Sequence, residues 1–487
     1  MKLLLTTAWL AVAAASFYDG WKLPDYCMDP KGMAARQAIP PIETSRKLEL
    51  VQAQVVARHG ARAPYYAVFC WDTAPSPVSV TWNCSTNQVW TQNLDDGSEA
   101  RGYGRLYRKQ YINHRNVLNG TCMVGGLLPI GREQHRQNGA ILRDAYIGHG
   151  PRKLFSSNKI SERARHELLL RSDDQERTLG SGQALVDTLF PYSPKDEANM
   201  DDMLTWMTAD ANSDYIDHRR DTSCPMLDRM AKEINNSPAV VAHRNSPAVL
   251  ALQARFNAIV GVKFQWDTCL ECLMIARCNN LPLPDGTTEE LFHALINEVQ
   301  TRTRMKLSYQ NGAYAKLDMQ HMWRDILKRV DAVILDPSSA LKLSITMGHD
   351  STLMPMMAVA MGPTWDGHWT TYAGMLVIEV YRDADMDRRH GDAYAVRLIY
   401  NGKPLQLPFC NDELCPWSTF NASLSWARAT RQCKLPTKAS TRLDTNVSTH
   451  QPSAAWFLLP VGALLAVVGT LATRQSPYRR ETDPLLG

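Results

Sequence analysis

The sequence predicts an α/β protein with a central mixed, mostly parallel sheet flanked by helices, an inserted smaller helical domain and a single C-terminal transmembrane helix. Three observations lead to this prediction. Short apolar runs alternate with amphipathic helical patterns, as in proteins that place helices on the faces of a sheet. Residues 191–335 are mostly helical in pattern and interrupted by prolines, and residues 454–473 form an apolar run without a charged side chain.

The elements of the α/β part follow one another with clear periodicity. Apolar or alternating runs predict strands at residues 50–57, 168–170, 341–347, 375–381 and 394–400. Amphipathic spacing predicts helices over residues 131–146 and 319–333, and another that is opened by residues 171–178 and runs through Leu189. We therefore expect a discontinuous α/β domain of residues 48–190 and 336–433 around a helical domain of residues 191–335.

Both ends of the chain carry hydrophobic segments. Residues 1–15 combine a charged start, a short apolar run and small residues, which is typical of a signal peptide. Residues 454–473 suit a membrane-spanning helix, preceded by a polar stalk of residues 434–453. Arginines in residues 474–487 place that tail in the cytosol, which predicts a single-pass type I protein whose large domain is lumenal or extracellular. A core helix or a removable lipid-anchor signal fits less well, because a charged tail follows the run.

Charge and cysteine content narrow the class of protein. The net charge of +4 is spread along 487 residues without a lysine-rich block, so nucleic acid is not an expected partner. All 11 cysteines lie between the hydrophobic ends, which favours disulfides and leaves at least one cysteine unpaired or paired between chains. The spacing Cys269-x2-Cys272-x5-Cys278 admits a zinc site, but no second pair completes four ligands. Glycosylation sequons begin at Asn83, Asn119, Asn235, Asn421 and Asn446.

The stretch Arg58-His59-Gly60-Ala61-Arg62-Ala63-Pro64 directly follows the first predicted strand. Two guanidinium groups around one imidazole prepare a site for an anion with several oxygens. Gly60 lets the backbone approach such a ligand, and Pro64 stiffens the exit of the turn. The alternative is a basic loop whose arginines meet carboxylates elsewhere.

Three predicted strands end in residues that can bind a phosphate or transfer a proton. They are Arg58, His59 and Arg62 at the first strand, Arg171 at the second, and His349 and Asp350 at the third. Ligands of open α/β sheets bind beyond the carboxyl ends of strands, so these residues are expected to converge. Such a set suits a phosphomonoester hydrolase. Arginines bind phosphoryl oxygens, an imidazole takes the phosphoryl group, and a carboxyl group donates and then accepts a proton. No metal or other cofactor is expected.

These motifs resemble those of the histidine acid phosphatases, a branch of the histidine phosphatase superfamily, over about residues 48–435. That family carries Arg-His-Gly-x-Arg-x-Pro near the start and His-Asp near the end. Between them it has Arg-Ser-Thr-Asp-x-x-Arg-Thr, where this chain reads Arg171-Ser-Asp-Asp-Gln-Glu-Arg-Thr. The resemblance extends to the helix that begins near Pro129, to Trp369-Thr-Thr-Tyr-Ala and to Cys410-x4-Cys415.

The resemblance implies a role for each candidate site residue. His59 would accept the phosphoryl group and Asp350 would donate the proton, while the phosphate would be held by Arg58, Arg62, Arg171 and His349. It also implies the disulfides Cys410–Cys415 and Cys224–Cys433. It leaves open the pairing of seven cysteines: Cys27, Cys70, Cys84, Cys122, Cys269, Cys272 and Cys278.

The expected function is a metal-independent acid phosphatase that hydrolyses small phosphomonoesters through a phosphohistidine intermediate. Phytase and lysophosphatidate phosphatase of the same family are alternatives, because specificity lies in the rim loops and the helical domain. The inositol-polyphosphate branch usually carries His-Ala-Glu where this chain has His349-Asp350-Ser351, which lowers that option. A non-catalytic surface glycoprotein is a further alternative, although all six expected site residues are present.

The last residues of the chain predict the cellular compartment of the protein. Glu481-Thr-Asp-Pro-Leu485-Leu486 resembles the acidic dileucine signals that direct membrane proteins to endosomes and lysosomes. A sorting adaptor is therefore an expected partner. A merely polar tail, with the protein at the cell surface, is the alternative. The natural substrate, the pH optimum and the oligomeric state, with a homodimer among the options, are left open.

Overall fold

The computed structural model describes residues 18, 20–36, 38–64, 81–84, 118, 120–150, 152–157, 160, 166–191, 204–218, 223–261, 266–338, 340–387, 391–429 and 433, without the side chains of 267–269. The predicted signal peptide, stalk, transmembrane helix and cytosolic tail lie outside these residues and stay predictions. Within the described ranges, no helix is both long enough and apolar enough to cross a membrane.

A sheet of eight described strands forms the centre of the molecule. Its order is β3-β2-β4-β1-β5-β6-β7, and β8 also pairs with β6. The strands are β1 Leu48–Arg58, β2 Leu168–Ser172, β3 Trp206–Met207, β4 Leu343–Gly348, β5 Met375–Asp383, β6 Tyr394–Tyr400, β7 Lys403–Pro404 and β8 Cys415–Pro416. Because β1 and β4 are parallel neighbours with Arg58 opposite Gly348, the residues that follow both strands emerge side by side.

The sheet is mixed, as predicted, but it is not mostly parallel. The pairs β3–β2, β2–β4 and β4–β1 are parallel, whereas β1–β5, β5–β6, β6–β7 and β6–β8 are antiparallel. The expectation of a mostly parallel sheet is therefore wrong. One reason is the link between β5 and β6, because its ten residues, 384–393, are too few for the helical crossover that parallel neighbours need.

Helices cover both faces of this sheet. They are α1 Pro30–Ala34, α2 Pro129–Tyr146, α3 Glu176–Leu189, α4 Pro225–Asn235, α5 Pro238–Arg244, α6 Pro247–Val260, α7 Trp266–Cys278, α8 Glu289–Asp318, α9 Gln320–Leu335, α10 Asp350–Met361 and α11 Trp417–Ser423. Leu142 of α2 and Leu185 of α3 pack into the core on one face. Trp323 of α9, Leu353 of α10 and Phe420 of α11 pack into the core on the other. With cover on both sides, the inner strands are almost continuously buried.

The stretch 191–335, expected to form the helical domain, contributes to the sheet as well. Strand β3 lies inside it, and the helices begin with α4. At its other end, Trp323 of α9 belongs to the same core as Val56 of β1. Helix α8 is interrupted at residues 309–312, whose backbone is not helical. The extent of the two domains stays a prediction.

Disulfides join both neighbouring and distant parts of the chain. Cys410–Cys415 and Cys224–Cys433, which the resemblance implies, are both present. Cys224 stands directly before α4, so the second bond holds the helical region to the end of the described chain.

Two further bonds involve cysteines for which the resemblance offered no pairing. Cys27–Cys278 joins the segment before β1 to the end of α7, and Cys84–Cys122 closes a shorter loop. Cys272 is also disulfide-bonded. Because Cys272 and Cys278 are both oxidised, two of the three thiolates that the zinc alternative requires are not available.

Candidate active site

The turn after β1 is held by close backbone packing. A Cβ atom at Gly60 would lie 2.3 Å from the carbonyl oxygen of Gly131, at the start of α2. The Gly60 N–H donates to Ser181 Oγ of α3 at 3.0 Å. Only glycine fits at this position between α2 and α3. The contacts of Gly60 with both helices fix the position of the preceding residue, His59.

The imidazole of His59 is buried and oriented by its own chain. Its Nδ1–H donates to the Gly60 carbonyl oxygen at 2.8 Å, so the lone pair of the neutral ring is on Nε2. Its centroid lies 5.3 Å from that of His349, edge to face. Burial, followed by the charges of Arg177 and Arg58, lowers the pKa of His59 well below 6.5. The ring therefore stays neutral in mildly acidic solution.

Arg58, the last residue of β1, has a fully buried guanidinium group. It lies between the rings of Tyr26 and Tyr372, at 4.8 and 4.7 Å from their centroids. Nη2 donates to the Tyr26 hydroxyl at 2.8 Å and Nη1 to the carbonyl oxygen of Thr370 at 2.6 Å. These contacts orient the positive charge toward Asp350.

Asp350 opens α10, and each of its carboxylate oxygens has partners. Oδ2 lies 2.9 Å from Arg58 Nη2 and accepts a hydrogen bond from Trp369 Nε1 at 2.8 Å. Oδ1 accepts from the Ser351 backbone N–H at 2.8 Å. Burial favours the neutral acid, but Arg58 and the Trp369 hydrogen bond outweigh it and lower the pKa of Asp350 below its ordinary value.

His349 stands between two carboxylates and an arginine. Nε2 donates to Asp173 Oδ2 at 2.7 Å, and Asp217 Oδ2 is 3.9 Å away. On the other side of the ring, Arg177 Nη2 lies 3.4 Å from Nδ1. Burial would lower the pKa of His349, yet Asp173 and then Asp217 raise it above 6.5. The ring therefore carries positive charge at acidic pH.

Within the described part of the chain, Asp173, Asp217 and His349 are the group that could hold a metal ion, since their ligand atoms lie within 4.8 Å of one another. The 2.7 Å contact between His349 and Asp173 is a hydrogen bond. Two atoms bound to one zinc ion at about 2.0–2.1 Å each would stand further apart. The geometry of this group thus suits proton sharing rather than metal binding.

Arg62 follows His59 by three residues and meets the helical region. Its Nη1 lies 3.0 Å from Glu271 Oε1 of α7, and both side chains are largely buried. Burial alone would lower the pKa of Arg62, but Glu271 raises it well above its usual range. Arg62 also contributes to the positive field that lowers the pKa of both His59 and Asp350.

The structure thus brings together five of the six predicted residues: Arg58, His59, Arg62, His349 and Asp350. Arg171 is the exception. Its Nη2 donates to Asp214 Oδ1 at 2.7 Å and its Nη1 donates to the Met207 carbonyl oxygen at 3.3 Å, so its described contacts tie β2 to the region around β3. The expectation that Arg171 faces the phosphate is corrected, since Arg177 is the arginine of this segment that stands beside His349.

Sequence reasoning missed several contributors to the site. Arg177 is the second arginine of the recognised motif that begins at Arg171. The motif was assigned to the phosphate site through its first arginine only. Asp173 occupies the position where the family pattern has threonine, a departure that pointed to it. Trp369 was likewise part of a recognised segment. Tyr26 and Glu271 carried no signal, because only folding brings them next to Arg58 and Arg62.

Comparison with known proteins supports the class that this fold and site define. The sequence model of the family described as Histidine phosphatase superfamily (branch 2) matches residues 49–261. The resemblance to the histidine acid phosphatases is thereby confirmed, since the family model covers the segments that carry Arg58, His59, Arg62 and Arg171. The protein is an enzyme of the phosphatase class.

Several individual proteins are similar over most of their length. Counting factor 60 of Dictyostelium discoideum is 24% identical over 82% of this chain and 89% of its own. Lysophosphatidic acid phosphatase type 6 of Mus musculus is 26% identical over 82% and 91%. Lysosomal acid phosphatase of Xenopus laevis is 24% identical over 79% and 77%. Among solved structures, the phytase of Klebsiella sp ASR1 gives a TM-score of 0.49 at 15% identity, covering 82% of this chain and 100% of that one.

Proposed function

We propose that the protein is a metal-independent acid phosphatase that hydrolyses phosphomonoesters through a phosphohistidine intermediate on His59. The observation that carries the proposal is the orientation of this ring. Its Nδ1–H is engaged by the Gly60 carbonyl, so the Nε2 lone pair is available. Arg58 precedes His59 in the chain and pairs with Asp350 at 2.9 Å, and these two residues supply the phosphate-binding group and the acid.

The first step transfers the phosphoryl group to the enzyme. His59 Nε2 attacks phosphorus, an N–P bond forms and the bond from phosphorus to the ester oxygen breaks. The departing alkoxide takes the proton of the Asp350 carboxyl group and leaves as an alcohol. Arg58, Arg62 and Arg177 bind the phosphoryl oxygens and stabilise their charge in the transition state, and His349 donates a further hydrogen bond.

The second step restores the enzyme. The Asp350 carboxylate accepts a proton from a water molecule whose oxygen attacks phosphorus. The N–P bond breaks, its electron pair returns to His59 Nε2, and inorganic phosphate leaves. Because Asp350 ends the cycle protonated, no external acid or base is consumed.

An acidic pH optimum follows because Arg58 contacts Asp350 and would also bind the phosphate. Without substrate, Arg58 lowers the pKa of Asp350, so the carboxyl group is ionised over most of the pH range. A bound phosphate dianion takes up the positive charge of Arg58 and adds its own negative charge, and both effects raise the pKa of Asp350. The proton donor is therefore replenished in the complex, and the rate falls as pH rises above that pKa.

The test replaces the nucleophile. His59→Ala should lower kcat for an aryl phosphate by more than about 1,000-fold, since it removes the atom that forms the intermediate. EDTA should leave the wild-type rate unchanged. With substrate carrying 32P, wild-type protein quenched into alkaline SDS should retain label on histidine, and His59→Ala should not.

The matched control is His293→Ala. This side chain lies on α8, is half exposed and pairs with Glu289. Its replacement should not alter the rate or the label. Activity that persists in His59→Ala, or that disappears with EDTA, would contradict the proposal.

Lysophosphatidate is the second candidate substrate. It is the substrate named by the relative from Mus musculus that is 26% identical over 82% of this chain. Its leaving group after hydrolysis is an uncharged glyceride. Comparing turnover of lysophosphatidate, phytate and a simple sugar phosphate by the purified protein decides among the family activities.

We further propose that the enzyme is anchored by residues 454–473 as a type I membrane protein and works in the lumen of endosomes or lysosomes. The apolar run, the arginines after it and the dileucine-like tail support this placement. A similar protein is the lysosomal acid phosphatase of Xenopus laevis. An acidic lumen would keep Asp350 protonated in the enzyme–substrate complex.

The tail is tested by cell imaging. Replacement of Leu485 and Leu486 by alanine should move most of the protein from endosomes and lysosomes to the cell surface, because the adaptor would lose its apolar contact. The control replaces Gln475 and Ser476 of the same tail by alanine and should leave the distribution unchanged. An unchanged distribution in the dileucine variant would dispose of the sorting proposal.

A further inference from the structure

We infer that Glu271 determines substrate specificity: it is a fixed negative charge, supplied by α7 to the phosphate site, that selects monophosphates with neutral or cationic leaving groups over those with a second anionic group. The inference rests on the proposed phosphatase function and names its substrate class. The observation behind it is the 3.0 Å ion pair between Glu271 Oε1 and Arg62 Nη1.

The ion pair is unusual for its position. Arg62 is one of the arginines proposed to hold the phosphate, yet a resident carboxylate already occupies one of its nitrogens. Only 11% of the Arg62 side chain and 16% of the Glu271 side chain are exposed. Water therefore screens this charge only partly. Arg62 offsets much of its field, but an anionic group that lies nearer to Glu271 than to Arg62 is still repelled.

Glu271 cannot easily withdraw, because α7 is fastened at several points. Cys278 at its end is bonded to Cys27, and Cys272, next to Glu271, is also in a disulfide. At its start, the Trp266 ring lies 4.5 Å from the guanidinium of Arg302 on α8. The carboxylate is thus held next to Arg62.

Helix α7 also lies on the side where a leaving group departs. The leaving group stands opposite His59 and next to Asp350, which donates its proton. Trp369 Nε1 donates a hydrogen bond to Asp350. The Trp369 side chain also packs against the apolar cluster to which Leu270 of α7 belongs. Trp369 thus links the proton donor to the apolar cluster that contains residues of α7. On this geometry a substituent on the leaving group extends toward α7, where a second anionic group is repelled by Glu271 and a cationic group is attracted.

Three aryl phosphates test the inference: the phosphate esters of 4-ethylphenol, tyramine and 4-hydroxyphenylacetic acid. Their phenols have similar acidity, but their para substituents are neutral, cationic and anionic. Wild-type protein should prefer the tyramine ester to the hydroxyphenylacetate ester in kcat/KM. Glu271→Gln should shrink that ratio by about tenfold, as expected for loss of one partly screened charge several ångströms away. Effects on the common phosphate cancel in the ratio.

Two further variants separate charge from packing. Glu271→Asp keeps the charge on a shorter side chain and should keep most of the wild-type selectivity. Glu290→Gln removes an exposed charge at the start of α8 and should leave the ratio unchanged. An unchanged ratio in Glu271→Gln would overturn the inference while leaving the phosphatase function intact.

Failure of the proposed function would look different. In that case the wild-type protein would hydrolyse none of the three esters. The inference is then decided by calorimetry with the corresponding benzylphosphonates, which bind but cannot be hydrolysed. The cationic-to-anionic ratio of affinities should again fall by about tenfold in Glu271→Gln, and an equal ratio in both proteins would overturn it.

Discussion

Arg171 and Arg177 lie in one short motif but have different surroundings. Arg171 is on β2 and pairs with Asp214 at 2.7 Å. Arg177 is in the first turn of α3 and faces His349. The motif indicated that an arginine of this segment reaches the phosphate. It did not indicate which one, because the direction of a side chain depends on where the strand ends and the helix begins.

Replacing each arginine by alanine should therefore affect different properties: Arg177→Ala the catalytic rate, and Arg171→Ala the stability. Arg177→Ala should reduce kcat/KM for an aryl phosphate by about 100-fold or more, because a charge that stabilises the transition state is lost. Its melting temperature should change little. Arg177→Lys should recover part of the activity, since it keeps the charge without the bidentate geometry.

Arg171→Ala should mainly affect stability. It leaves Asp214 buried without its cationic partner, which costs about 3 kcal/mol in the free energy of unfolding. The folded protein should keep kcat/KM within about threefold of wild type, well short of the loss expected on removing a transition-state contact. The two variants are compared by steady-state kinetics and urea unfolding, and a 100-fold kinetic loss in Arg171→Ala would reverse the assignment.

Among the elements, α2 is notable because its buried face is partly polar. Gln134 donates to the carbonyl oxygens of Cys27 and Met28 at 3.0 and 2.8 Å. His135 Nε2–H donates to the carbonyl oxygen of Arg58 at 2.9 Å. Amphipathic spacing predicted this helix. The polar contacts show that it also ties the segment before β1 to the end of that strand.

Element positions with strong periodicity could be predicted well. The strand predicted at 394–400 is observed as Tyr394–Tyr400, and the helix predicted over 131–146 begins at Pro129. Strand β3 could not be predicted, because two residues have no period. Strand direction was also missed, because it depends on the partner and on the length of each connection.

At the scale of the whole molecule, the stability of the protein should depend on pH through His135. Burial lowers the pKa of this histidine from 6.5 to about 3. Below pH 6.5 the unfolded chain therefore takes up a proton that the folded protein does not. The free energy of unfolding then falls on acidification by about 1.4 kcal/mol per pH unit from this residue alone, until the pH reaches the folded pKa.

His135→Gln keeps an N–H donor for the Arg58 carbonyl but does not titrate. Between pH 7 and pH 5.5, its free energy of unfolding should fall by about 1.3 kcal/mol less than that of the wild type. Urea unfolding at both pH values measures the difference. The control, His368→Gln, replaces a histidine whose side chain is 75% exposed and should fall as the wild type does. Equal losses in all three proteins would contradict the argument.

Contacts between residues far apart in the sequence limited how much of the site could be predicted. The sequence could predict that residues at the ends of β1 and β4 lie near one another, because neighbouring parallel strands end together. The contact of Glu271 with Arg62 and the bond between Cys27 and Cys278 connect parts of the chain that share no local pattern. Only the folded arrangement of α7 brings them together.

The place of β1 in the sheet has a consequence for biosynthesis. Its parallel partner begins at Leu343 and its antiparallel partner ends at Asp383, so the strand emerges from the ribosome long before either. At about 5–20 residues per second, it waits roughly 20 to 70 s for both. During that time an apolar strand is exposed, and cysteines of the first segment can meet wrong partners. The nascent enzyme should therefore depend on chaperones and disulfide isomerases until translation is nearly finished.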